Sequence, residues 1–129
     1  MPVYVEWHNA EHTILLYRLI DGWTWEHYHA ANAYVRDLLS SVDHPVDMIC
    51  DFSESVVLPP RMIANFGRTL REPVHPNRGR VVLVGVTGLM QILWGVIRNL
   101  HPQATANMLE AVTIDHALRL LREPASTQS

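Results

Sequence analysis

The sequence predicts an α/β domain built on a mixed, mainly parallel sheet. Short apolar runs alternate with longer segments in which apolar residues recur every three or four positions, as successive βα units require. The run RVVLVGV at 80–86 is β-branched and continuous, the composition of a central parallel strand covered on both faces. The first two apolar runs are joined by so short a polar segment that an antiparallel hairpin is the connection expected there.

From the N-terminus, Val3, Val5 and Trp7 alternate with Tyr4, Glu6 and His8, the period of a half-buried strand. A turn at 9–11 leads into TILLYRLI, the second strand. After the DGW turn, Thr24 can cap a helix with Glu26 in its first turn. Trp25, Tyr28, Ala31, Val35, Leu38 and Val42 then form one stripe, ended by His44 and Pro45. VDMICDF reads as a buried strand. Pro59 and Pro60 suit the entrance of a second helix, RMIANFGRTL, with Met62, Ile63, Phe66 and Leu70 inward. A Pro-rich connection, REPVHPNRGR, precedes the 80–86 strand. Gly85 to Gly88 turns into the helix LMQILWGVIRNL, and ANMLEAV is a short last strand. Thr113 caps a closing helix in which Ile114, Ala117, Leu118 and Leu121 share a face. The order is ββαβαβαβα, with right-handed crossovers, a single domain over 1–123 and a disordered tail at 124–129.

Composition narrows the function classes. With 129 residues and a net charge of −3, the chain is one self-sufficient globular domain without the basic excess of a nucleic-acid binder. All its basic residues are arginine, and Arg61, Arg68, Arg71, Arg78 and Arg80 concentrate between positions 61 and 80 with only Glu72 against them. That run is either a solvated face or a receptor for an acidic partner or anionic ligand. The single cysteine, Cys50, excludes an internal disulfide and a CxxC motif. The N-terminal MPVYVEWHNAEH lacks the layout of a signal peptide, and the apolar stretch Leu89 to Leu100 is too short to span a bilayer. A cytoplasmic protein without membrane span is expected.

Metal and hydrolase chemistry find no motif. Of eight histidines, His27 and His29 are two apart on a helix and diverge, and no HExxH array occurs. No GxSxG elbow surrounds a serine. No cofactor, metal or catalytic residue is expected.

The segment CDFSESVVLPPR at 50–61 is the first candidate site. It leaves the carboxyl end of a strand, as does Gly85–Val86–Thr87–Gly88, so both loops belong to the sheet edge where α/β proteins bind ligands. Asp51, Ser53, Ser55, Thr87 and Gly88 are expected to line any pocket there, with Arg61 the nearest cation for a phosphate on Ser53 or Ser55. The alternative is an Asx-type turn in which Asp51 and Ser53 serve only the backbone.

The opening hairpin, W25-E-H-Y-H-A in the first helix, D51-F-S53 at a strand end and the closing T113-I-D-H-A-L-R-L-L together resemble the SpoIIAA-like family of STAS domains and anti-sigma factor antagonists. The resemblance implies a SpoIIAA-like fold and a non-catalytic regulatory role through a protein partner, with Ser53 the possible phosphoacceptor. The family's D-S-S-G element is absent, since Val57-Leu58-Pro59-Pro60-Arg61 stands in its place.

The helix 89–100 carries more apolar surface than one sheet face can cover. Either neighbouring loops cover the surplus or a second copy does, which would make Leu89, Leu93, Trp94 and Ile97 a dimer surface. Two functions from different classes remain: a STAS-type regulatory homodimer, and a carrier of a lipid-like or anionic small molecule held between the sheet and helix 89–100.

Overall fold

The computed structural model describes residues 3–123; the expected tail at 124–129 lies outside them. In chain order the elements are β1 (Val3–Trp7), β2 (Ile14–Leu19), α1 (Trp25–Ser40), β3 (Val46–Asp51), α2 (Met62–Leu70), β4 (Arg78–Val84), α3 (Gly88–Leu100), β5 (Met108–Ala111) and α4 (Ile114–Arg122). The strands lie side by side in sequence order. β1 is antiparallel to β2, and β2 to β5 are parallel. The sheet and the element order are those expected.

This order dictates where the helices go. The crossovers through α1, α2 and α3 each advance one strand in the same direction, and right-handed connections then place all three helices on one face. Leu15, Tyr17 and Leu19 of β2, with Met48 of β3 and Val81 and Leu83 of β4, meet them there. Alternate residues point the other way: Leu16, Ile49, Val82 and Val84 pack on Ala117 and Leu121 of α4. The apolar composition of β3 and β4 follows from this two-sided cover.

Local chemistry sets the boundaries. Asn9 Oδ1 accepts from the backbone of Thr13 at 3.0 Å and shapes the β1–β2 turn. Thr24 caps α1 by accepting from His27 N, and His27 Nδ1 accepts from Thr24 N, so a histidine completes the capping box. α1 ends at Ser40, two residues short of Val42 in the expected stripe. Arg61, expected inside the second helix, precedes it in the left-handed region at φ 61°. Thr113 caps α4 as expected, accepting from His116 N.

Candidate functional site

The three helices on one face do not close completely against the sheet. Between them lies a cavity of about 180 Å³. Its walls are mostly apolar, with Leu39 of α1, Met48 of β3, Phe66 of α2, Leu83 of β4 and Met90 of α3 among them. Exposed Arg36, Glu72, Pro73 and Val74 mark the side that opens to solvent, between α1 and the segment after α2.

Arg78 and Trp94 reach the same cavity, and each buries a donor without an acceptor: the Nε of Arg78 and the indole Nε1 of Trp94. Among the described residues no carboxylate pairs with Arg78. Unpaired buried donors are rare because each loses its hydration without recompense. Burial pulls the Arg78 guanidinium below the usual arginine range, although nearby Cys50 and Tyr28 act in the opposite direction.

A bulge aims Arg78 there. Residues two apart on a regular strand share a face, so Arg78 and Arg80 would point together. Across β3 and β4, however, Val46 is opposite Arg78 and Met48 is opposite Val81, so β4 holds one extra residue. Arg78 therefore joins the cavity face with Val46 and Val81, while Arg80 turns to α4. Gly79 sits within the irregularity, where a Cβ would collide with the Asp47 carboxylate and crowd Val46 O at 3.1 Å. Asp47 Oδ1 meanwhile accepts from Arg80 N at 2.8 Å, replacing a ladder bond that the bulge removes.

The remaining polar lining is largely satisfied. The buried Tyr17 hydroxyl lies 3.1 Å from both Asn32 Oδ1 and the Tyr28 carbonyl oxygen. Cys50 is half-buried and lines the cavity, and desolvation pushes its thiol up to about 12. The shift favours the thiol over the thiolate at neutral pH. Desolvation likewise raises Tyr17 and Tyr28.

The open side is framed by the 71–77 connection, held against α1. Arg36 Nη2 donates to Pro73 O at 3.1 Å. His75 Nδ1 accepts from Asn77 N at 3.0 Å, and its Nε2 lies 3.0 Å from Ser40 Oγ. Asn77 Nδ2 donates to the carbonyls of Leu39 and Val42, fixing the end of α1.

The loop residues singled out from sequence are dispersed. Asp51 is buried and its Oδ1 accepts from Ser53 N at 2.9 Å, the Asx-type turn. Ser53 is exposed and, with Asp51, borders a shallow depression against Thr113 and Ile114 at the start of α4. Ser55 is buried and its hydroxyl accepts from Trp23 Nε1 at 2.6 Å. That contact corrects its assignment as a phosphoacceptor or accessible ligand residue: the hydroxyl locks the 50–61 loop to the core. Thr87 and Gly88 are exposed at the start of α3 and do not border the depression, whereas Gly85, at φ 74°, brings its backbone against Ser53. Arg61 is also exposed.

The assigned dimer surface also needs correction. Trp94 and Ile97 are buried against the sheet and Leu93 is half-buried, because the stripe required for the core uses them. The face of α3 turned outward carries Leu89, Ile92, Val96 and Leu100. The arginine run divides too: Arg61, Arg68 and Arg71 are exposed, Arg78 enters the cavity and Arg80 binds α4. Sequence reasoning noted Arg78 only within that run and placed Trp94 outside. The available signal was Arg-Gly-Arg at the head of a strong strand, since a strand glycine often marks a bulge.

Among the described residues, no cluster of three or more His, Cys, Asp or Glu is arranged to hold a metal ion. No described helix is long and apolar enough to cross a membrane. No protein-family description, curated protein or solved structure matches the chain.

Proposed function

We propose that this protein binds a small amphipathic molecule, without catalysis, in the cavity between the sheet and α1, α2 and α3. One observation carries the reading: an apolar cavity of about 180 Å³ is lined by Arg78, a guanidinium with which no carboxylate of the described residues pairs. A ligand acceptor would give it a partner. The non-catalytic part draws support from Cys50, held protonated, and from Asp51, engaged in its own turn. Native mass spectrometry of the protein from its own host should show a stoichiometric small-molecule adduct. The adduct should be absent from Ala104→Leu, which fills a lining position. An adduct-free wild type that also fails to bind any added amphipathic probe would sink the reading.

The regulatory reading, a SpoIIAA-like domain of STAS type acting as a homodimer, has a separate support. The element order ββαβαβαβα is the one on which that likeness rests, and α3 presents Leu89, Ile92, Val96 and Leu100 outward. Pairing of two copies would use that stripe. Sedimentation of Ile92→Glu checks it: a dimeric wild type becoming monomeric supports pairing, and a monomeric wild type removes it.

A further inference from the structure

We propose, on the strength of the ligand-binding reading, that the cavity accepts a compact monocarboxylic acid whose carboxylate meets Arg78 and whose apolar body fills the space beneath α1, α2 and α3. The charge follows from the lining. Arg36 and Glu72 lie at the open side with opposite signs, so Arg78 is the cation left for the ligand to balance.

The shape of the head follows from the donor. A guanidinium is a planar fork that matches a carboxylate, and an ionised pair makes stronger hydrogen bonds than a neutral one. A phosphate ester would bring up to two charges against one guanidinium, and would remain under-neutralised in an apolar enclosure. A neutral molecule would leave Arg78 as it is.

Volume limits the body. A cavity of roughly 150 Å³ in another protein holds benzene, so about 180 Å³ suits a benzene-sized body with its carboxylate, on the order of seven to nine non-hydrogen atoms. Long-chain fatty acids and nucleotides exceed it. The bulge at Gly79 is the device that makes the site, because a regular β4 would keep Arg78 on one face with Arg80.

The test titrates the full chain with benzoate and hexanoate, with benzamide and benzyl alcohol as neutral counterparts, and with dodecanoate as the long acid. Tryptophan fluorescence and thermal shift report binding. The compact acids should bind roughly ten- to a hundredfold more tightly than the neutral compounds. Arg78→Met should abolish that preference while the variant remains folded, and Arg78→Lys, which keeps the charge without the fork, should keep a weaker one. Equal binding of acids and neutral compounds, or a preference that survives Arg78→Met, overturns the carboxylate assignment while the cavity remains a binding site. Tighter binding of dodecanoate than of hexanoate overturns the size limit. Failure of every probe, together with an adduct-free protein from the host, overturns the ligand-binding reading itself.

Discussion

On the face of the sheet covered by α4, Arg80 donates to Leu121 O and Glu123 O at 2.7 Å and lies 3.6 Å from Asp47 Oδ2. Two residues earlier on the same strand, on the face covered by three helices, Arg78 leaves its Nε without a partner beside a cavity. The same side chain thus serves two purposes. Arg80 ties down carbonyls at the C-terminal end of α4, where a cation also complements the helix dipole. Arg78 leaves its Nε unpaired and carries a desolvation cost. Natural proteins retain such costs mainly at sites that act.

The largest expected effect tests the Arg80 side. Arg80→Met should destabilise the protein by about 2–4 kcal/mol in urea titration, because it removes the cation beside Asp47 Oδ2 and releases the α4 carbonyls. Arg78→Met should be neutral or stabilising by about 1–2 kcal/mol, since an apolar chain replaces a half-buried cation with no carboxylate partner. Equal losses in the two variants would break the comparison.

Gly79→Ala addresses the bulge that separates the two arginines. Its Cβ would displace Asp47 from Arg80 N, at an expected cost of about 1–3 kcal/mol. Unchanged stability would mean that the irregularity yields easily and does not fix the aim of Arg78.

Ser55→Ala comes next, at about 1–2 kcal/mol, because it strands the buried Trp23 N–H. Ser53→Ala, an exposed change, should stay within about 0.5 kcal/mol. A reversed ranking in thermal unfolding would contradict the placement of the two serines.

The smallest effect is a slope. Cys50 has its thiol pushed up from 9.0 to about 12, so the unfolded chain releases that proton first as pH rises. Its contribution is complete below pH 9 and is lost progressively toward pH 12, with Tyr17 and Tyr28 adding the same sign at higher pH. Cys50→Ala should flatten the fall in stability above pH 9, measured by urea midpoints across that range.

Much of the fold was legible because its signals are local. Alternation marked β1, the three-and-four spacing marked α1 and α4, and Thr24 and Thr113 marked their starts. The candidate site was legible only in part. Asp51 and Ser53 do share a loop at the strand ends, but the 50–61 segment reads the same whether Ser55 faces water or Trp23. Trp94 was misplaced because α3 is apolar on most of its circumference, so periodicity could not say which residues face the sheet.

Element order and the mainly parallel sheet were therefore decided by the sequence alone, since hydrophobic period and capping chemistry act within a few residues. The opposite aims of Arg78 and Arg80 depend on a register between β3 and β4, and on an Asp47 carboxylate 33 residues before the amide it accepts from. The cavity is a shortfall of packing shared by three helices and the sheet. Both arise only when distant segments meet, and for that reason only the tertiary structure could decide them.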